Sequence, residues 1–530
     1  MNKYTLIQDI YMPSGRPPFA YSDGEVTENY LLDRISRADD LSVGSAELAG
    51  IIRDWPTLYH LSPARADLLR PLSSILKGKR ILELGSGCGA ITRYLGELGC
   101  QVLALEGSER RARITRARCR DLSQVQVVCD SWDSFEWDHD FDIILLIGVL
   151  EYSSLFVKSA GIGPARKIAQ FPHIADVCRP SSELLRHAPP RSGPPVLDDL
   201  FSAVPGDNPP LEMLRKCRSF LHGEGRIVLA IENKLGLKYW AGAPEDHTGR
   251  PYDGIQDLYD SSTAITFGKD ELARLLSHAG FPFRDFFYPF PDYKLPSVTL
   301  TEAAFAAQDL TLTDLLQEKF DYAQGSGQTT ELSLTRIAAS VLANGLMADM
   351  ANSFLIVAGA SQSLASAVAD PRLAGRGPSL PLAWGFNSAR QKCYCKSYQF
   401  TRTEAGALRV QRELLHPGTP CPNDPPIHHH LTDEEYLKGR LLSSRALDIV
   451  TRPGWTMTEL AAWADSYYHI LADYGSPDAH GSVNTIPGQY LDLTPYNILI
   501  APGTAPVIFD QEWTCPEDLP LYFIFFRGIV

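Results

Sequence analysis

No apolar run in this chain reaches the roughly 18 residues that a membrane-spanning helix needs. The segment Leu521 to Phe526 is apolar but far too short. No secretory signal is legible at the start of the sequence. Its 10 cysteines are scattered, without a paired C-x-x-C, and Cys393-x-Cys395 has the wrong spacing for zinc. A structural zinc site and a disulfide framework are therefore not expected, and reduced thiols are. Positive charge is scarce as well: 49 Lys and Arg stand against 63 Asp and Glu, a net charge of −14. That balance disfavours a general electrostatic attraction to nucleic acid. The basic cluster from Arg110 to Arg120 reads as the solvated face of one helix. No internal repeat is visible. What is present, 44% hydrophobic and 21% charged residues, describes a soluble globular protein. A length of 530 residues points to two or three domains.

The densest local signal is Arg80-Ile-Leu-Glu-Leu-Gly-Ser-Gly-Cys-Gly-Ala90, followed by Val102-Leu-Ala-Leu-Glu106. An apolar run carries the acid Glu83 and ends in Gly85, Gly87 and Gly89. A helical segment, Ile91 to Leu98, separates it from a second apolar run tipped by Glu106. Glycines suit a backbone that turns tightly or lies close to a ligand. A carboxylate at the tip of the second strand is placed to accept hydrogen bonds from a ribose diol. The unit reads as a nucleoside-cofactor site at the carboxyl edge of a parallel sheet.

The glycine spacing is G-x-G-x-G rather than the G-x-G-x-x-G of dinucleotide folds, which leaves an NAD(P)-type site as the disfavoured alternative. With its acid two residues ahead, the pattern resembles the first motif of the class I S-adenosylmethionine-dependent methyltransferases. Two later runs agree: Val125-Gln-Val-Val-Cys-Asp130 and Phe141 to Tyr152. The resemblance implies a Rossmann-like α/β fold. It places the cofactor on Glu83, Gly85, Gly87, Gly89, Glu106 and Asp130, with the adenine near Asp130. The run from Phe141 would end facing the methyl group.

Composition divides the chain further. Residues 1–75 read as an N-terminal helical cap, with a helical stretch from Ala64 to Leu76, and 76–305 as the methyltransferase domain. Residues 157–210 are rich in Pro, Gly and Ser and read as an insertion or lid. A helix over Leu211 to Leu221, a strand over Gly225 to Glu232, a helix over Lys269 to Gly280 and a strand over Phe281 to Tyr288 are predicted. Residues 306–350 read as a helical linker, and 351–530 as a second domain.

Past the strand ending at Glu232, the segment Asn233 to Gly254 is dense in polar groups, aromatics and glycines. Loops at that edge of an α/β sheet carry ligands. Asp246 and His247 are the candidate catalytic pair there, His247 as base or as a group orienting the acceptor; capping of a turn is the structural alternative. This segment and the aromatic run Phe286 to Pro296 resemble methyltransferases of bacterial surface-polysaccharide assembly.

A second pattern lies near the C-terminus. Asp492 and Asn497 are spaced as in D-L-x-x-x-N, and Asp510 follows at the end of a short apolar strand. This resembles the catalytic loop of protein-kinase-like and aminoglycoside-phosphotransferase-like folds. The resemblance implies Asp492 as base, Asn497 and Asp510 as magnesium ligands, and Lys396 and Glu413 as a nucleotide-binding pair, with Glu413 on a helix from Leu408 to Leu415. Glu435 to Leu441 would be the hinge. No glycine-rich loop precedes Lys396, and Trp384 to Ala389 is the only candidate for one. The sequence stops 20 residues after Asp510, so the resemblance implies a truncated or reduced α+β domain.

The pairing resembles bifunctional kinase–methyltransferases acting on O-antigen polysaccharide. It implies S-adenosyl-L-methionine as cofactor, with ATP and Mg2+ at the second domain. The acceptor would be a glycan or glycolipid bearing a sugar hydroxyl or sugar phosphate. Glycosyltransferases of the same pathway would be partners. The implied location is cytoplasmic, with peripheral association at the inner face of the membrane. Two alternatives stay open: a methyltransferase with a non-catalytic docking module, and a non-enzymatic scaffold.

Overall fold

A computed structural model describes residues 3–14, 24–155, 208–259, 263–317, 332–361, 380–421, 427–477, 483–500 and 505–529. The Pro-rich insertion expected at 157–210 lies outside the described residues up to 207. In chain order, β1 (Tyr4–Ile7) and β2 (Ile10–Pro13) form a hairpin. Then come β3 (Arg80–Leu84), β4 (Gln101–Glu106), β5 (Val125–Cys129), β6 (Phe141–Ile147), β7 (Leu221–Glu232), β8 (Phe283–Phe290) and β9 (Val298–Thr301). They are followed by β10 (Ser353–Gly359), β11 (Ala383–Asn387), β12 (Lys396–Arg402) and β13 (Leu408–Leu414). These strands, with Glu434–Glu435 at one edge, make a 14-stranded sheet in the order β1-β2-β5-β4-β3-β6-β7-β10-β8-β9-β11-β12-β13.

The half from β5 to β7 is parallel. The chain starts at its middle strand, β3, steps outward to β4 and β5, and returns past β3 to β6 and β7. That reversal is a topological switch point, where open α/β sheets leave a crevice at the carboxyl ends of their strands. Both faces of this half are covered. Leu82, Leu84, Leu103, Leu105, Ile144 and Leu146 belong to one core. Ile81, Val102, Ala104, Ile143 and Leu145 belong to the other. Alternate residues thus serve opposite layers, as the pleat requires, and the strands read as unbroken apolar runs. The expected α/β class with a Rossmann-like parallel sheet is what is found.

Several boundaries shift. The N-terminal stretch is not only a helical cap: it begins with the β1–β2 hairpin, and β2 joins the sheet beside β5, pairing Ile10 with Val127. The expected helix from Ala64 to Leu76 is broken into 3-10 turns at Pro63–Leu68 and Arg70–Leu72 and a short α-helix at Ser73–Leu76. Pro71 lacks the amide proton that a continuous helix would use.

The strand over 353–359 does not open a second domain. β10 runs antiparallel between β7 and β8, pairing Phe354 with Ile231 and Ile356 with Phe286. The helical stretch before it is not a linker either. Leu310, Leu312, Leu316, Ala338, Val341 and Met347 are buried in the same core as Leu229, Ile231, Phe354 and Ile356.

Beyond β10 the sheet continues through β9, β11, β12 and β13, all antiparallel. The segment offered as a phosphate loop, Trp384 to Ala389, is mostly strand β11. The helix expected over Leu408–Leu415 is strand β13. Leu408 and Val410 are buried while Arg409 between them is exposed, a period of two rather than 3.6. A separate core follows, built from Leu442, Tyr467, Leu471, Leu493, Ile498 and Ile524. Its longest helix, Met457–Asp473, starts at a capping box in which Thr456 and Glu459 satisfy each other's backbone amides. Among the described residues no helix is long and apolar enough to cross a membrane.

Candidate functional site

A cavity of about 380 Å³ opens at the switch point. The glycine turn after β3 forms one wall. Gly85 N–H donates to Leu105 O at 2.8 Å, which anchors the turn to β4. Gly85 sits at φ +68, and a Cβ on it would stand 2.8 Å from Val149 Cγ2. Gly87, at φ +56, has nothing nearer than His60 Cε1, 3.8 Å from where its Cβ would lie. The turn therefore passes close to the exit of β6 at one glycine and leaves open space at the next. Gly89 precedes the helix Ala90–Glu97, close to the segment expected from Ile91 to Leu98.

The register of β3 to β7 brings the strand-end acids to one edge. Glu83 is buried and accepts a hydrogen bond from Thr92 Oγ1 at 2.6 Å. Burial pushes its pKa up to about 8. Glu106 takes Gly87 N–H at 2.8 Å and Ser108 N–H at 2.9 Å, so it both fixes the turn and faces the cavity. A carboxylate has about four lone-pair sites, which leaves acceptor capacity for a ligand. Asp130 also lines the cavity, but its oxygens are engaged by Lys3, Tyr4, Ser131 and Ser134 at 2.7–2.9 Å. Burial opposes its ionisation, yet those partners hold its pKa below the ordinary carboxylate value. The six cofactor residues expected in this half are thus gathered in and around the turn, with Asp130 tied to the N-terminal hairpin.

Opposite chemistry comes from later elements. Asp246 and His247 line the same cavity, as do Glu151, Glu232, Tyr293 and Lys294. Lys238 Nζ lies 2.5 Å from Glu232 and 3.5 Å from Asp246. Lys294 Nζ lies 2.6 Å from Glu232 and also bonds Asp246. Tyr239 donates to Glu232 at 2.6 Å. Burial and the Asp246 charge hold Glu232 up at about 7. Burial works against ionising Asp246, but the two lysines bring it well below the usual value. Burial also lowers the His247 pKa to about 4, so its imidazole is neutral. Its Nε2 is buried with no hydrogen-bond partner among the described residues. Glu245 takes the amides of His247 and Thr248 at 2.8 and 2.7 Å and so shapes the loop. The sequence reading missed Glu151, Glu232, Lys238 and Lys294. Glu232 carried the signal that singled out Glu106, an acid at the tip of an apolar run.

The second cluster is assembled too, with different partners. Lys396 is buried, and its Nζ lies 2.6 Å from Glu512 and 3.3 Å from Asp510. Glu413 does not pair with it. Standing on a strand rather than a helix, Glu413 accepts from Ser397 Oγ at 3.4 Å. Arg412 Nε reaches Asp510 at 2.9 Å, and Arg390 reaches Glu512 at 2.8 Å. Burial would raise the Glu512 pKa, but His429, Lys396 and Arg390 hold it well below the ordinary value. Asn497 Nδ2 donates to the carbonyls of Asp492 and Asp510 at 2.9 and 3.3 Å. Burial, reinforced by the Glu512 charge, raises Asp492 to about 6. Among the described residues no group of three or more His, Cys, Asp or Glu side chains is arranged to hold a metal.

Residues 81–161, from β3 past the turn that follows β6, match the family model of a methyltransferase domain. That match covers the glycine turn after β3 together with Glu83, Glu106 and Asp130, and it is to a methyltransferase domain. Solved structures similar to it include a methyltransferase from Thermotoga maritima described as a possible histamine N-methyltransferase. It is 14% identical over 56% of this chain and 89% of that one, at a TM-score of 0.28. A methyltransferase from Mesorhizobium loti is 16% identical over 55% and 97%, at 0.26. A glycopeptide N-methyltransferase solved with S-adenosylmethionine is 12% identical over 56% and 86%, at 0.25. Identities and TM-scores this low assign neither substrate nor residue roles to the methyltransferase domain here. No curated protein matches the chain.

Proposed function

We propose that this protein transfers the methyl group of S-adenosylmethionine to a glycan or glycan precursor. The observation that supports it most is the convergence of Glu83, Glu106 and the Gly85–Gly89 turn on one cavity within the methyltransferase domain. The residues suit the cofactor. Glu83 offers an acid to its amino group, Glu106 offers free lone pairs to its ribose, and Gly87 leaves the room its body needs. The cofactor would supply an electrophilic methyl on a sulfonium. The chain's own contribution is positioning, which can provide most of the rate of such a transfer. Trp55, Tyr59 and Trp132 line the cavity and give a sugar ring amphipathic faces to lie against. Asp246 and His247 border the acceptor, Asp246 by holding Lys294 and His247 through its open Nε2. The expected reaction is tested with labelled methyl donor and candidate surface glycans, with and without ATP and magnesium. Transfer to a glycan without ATP supports the core reading, and cofactor binding with no acceptor at all favours a scaffold.

A second activity is favoured by one observation: Lys396, Asp492, Asn497 and Asp510 lie within one hydrogen-bonded cluster. On this reading the C-terminal region binds ATP with magnesium and phosphorylates a sugar, with Asn497 and Asp510 as metal ligands and Asp492 as base. Glu512 then takes the place expected for Glu413 beside Lys396. Asp510 would have to leave Arg412 to meet a metal. A cytoplasmic location near the membrane face, with glycosyltransferases as partners, belongs to the same proposal and is tested by co-purification.

A further inference from the structure

Glu151 stands in the 3-10 turn Leu150–Tyr152 just after β6, with its side chain at the cavity and only 1% of the residue exposed. Its Oε2 has no hydrogen-bond partner among the described residues. The backbone of the turn is fixed, because Ile265 N–H donates to Glu151 O at 2.9 Å. The turn is also pressed against the glycine wall. Val149 fills the place of a Cβ on Gly85, and the Tyr293 hydroxyl lies 2.7 Å from where a Cβ on Gly148 would be. A buried carboxylate oxygen without a partner costs stability and marks a place where a ligand is awaited.

The cations around it are already committed. Lys238 and Lys294 are each shared between Glu232 and Asp246. The Arg65 guanidinium donates to the carbonyls of Tyr293 and Lys294 and to the Tyr59 hydroxyl. A phosphate brought to this end would meet the Glu232 and Asp246 carboxylates and lysines already paired with them. A hydroxyl would meet an open proton acceptor.

We infer that Glu151 is a catalytic base, that the acceptor presents a hydroxyl, and that a phosphate acceptor is excluded. This rests on the methyltransferase reading above. As the acceptor oxygen bonds to the methyl carbon, the carbon–sulfur bond breaks and its electron pair stays on sulfur. The hydroxyl proton passes to Glu151 Oε2 and leaves to solvent before the next turnover. Burial, together with Glu232 and Asp246, raises the Glu151 pKa to about 8, and Lys294 opposes the rise. Tyr293, Tyr239, Lys238, Glu245, Arg65 and the neutral His247 are further titratable or charged groups around this end. Glu151 is thus largely protonated in the cofactor-free pocket near neutrality. A sulfonium held in this cavity would favour the ionised form of Glu151, so the cofactor would prepare the base on binding.

The test needs no acceptor. Calorimetric titration at neutral pH, in buffers of different ionisation enthalpy, counts protons released on binding. S-adenosylmethionine should release more protons than S-adenosylhomocysteine, whose sulfur carries no charge. The difference should vanish in Glu151→Gln and persist in Glu151→Asp. Equal differences in wild type and Glu151→Gln would overturn the assignment. If wild type bound neither compound, the methyltransferase reading itself would fall, and this inference with it. Millimolar inorganic phosphate should leave the melting temperature of the S-adenosylhomocysteine complex unchanged. A rise abolished by Lys294→Ala would overturn the exclusion of phosphate.

Discussion

At the scale of single residues, the site depends on one position with room and on several buried charges. Gly87 has a left-handed φ and open space where its Cβ would point. Valine there would strain the backbone and fill the cavity wall, so Gly87→Val should weaken S-adenosylmethionine binding by at least tenfold, read by calorimetry. Unchanged affinity would place the cofactor elsewhere. The buried acids predict a pH dependence. Glu83 and Glu151 hold their protons up to about 8 in the folded protein, against about 4.5 in the unfolded chain. Below the lower value both states bind these protons and stability is full. Between the two values the unfolded chain releases protons that the folded protein keeps, so stability falls as pH rises. The urea midpoint of the cofactor-free protein should therefore drop from pH 6 to pH 8, with a shallower drop in Glu151→Gln. In the second cluster, Glu512 bonds three basic side chains while 4% exposed. Glu512→Ala leaves Lys396 buried without its nearest partner, which should cost on the order of 3 kcal/mol in chemical denaturation.

At the scale of elements, what was legible in the sequence was local. The glycine turn, the acids at Glu83 and Glu106, and the strands around them are each set within a dozen residues by periodicity and turn chemistry. The place of β10 was not legible. Its apolar run Ser353 to Gly359 fits any buried strand, and only the global packing sets it between β7 and β8. The same holds for the charge network around Glu232, which joins β7, the loop at Asp246 and the segment at Lys294. Glu413 was misplaced because seven residues from Leu408 to Leu414 admit either period, and pairing with β12 decided for strand. The position of β10 carries a prediction of its own. A chain ending at residue 350 should lose cooperative thermal unfolding and cofactor binding, because removing β10 bares β7 and β8 along their lengths. A chain ending at 421, which keeps β10 to β13, should retain both better. Equal behaviour of the two would show that β10 is dispensable to the methyltransferase domain.

At the scale of the whole molecule, one sheet joins the two regions of candidate chemistry. The parallel strands position the cavity, and β12 carries Lys396 into the cluster with Asp510 and Glu512. The cluster as it stands is closed by its own ion pairs, and a nucleotide with magnesium would have to compete with Arg412 and Lys396 for Asp510. Binding therefore has to supply more than it would in an open site, and a weak affinity is expected. A ligand that binds the folded protein raises its stability by mass action. Millimolar ATP with magnesium should raise the melting temperature of the C-terminal core by a few degrees in wild type, followed by the tryptophan fluorescence of the chain. The shift, rather than the starting temperature, should disappear in Asp510→Ala and in Lys396→Ala. S-adenosylhomocysteine should still stabilise both variants, because the cavity proposed for it is built on β3, β4 and β6 and not on β12. A protein that responds to S-adenosylhomocysteine but never to ATP would leave the cluster as the ion-paired core of a docking region, with methyl transfer as the chemistry of this chain.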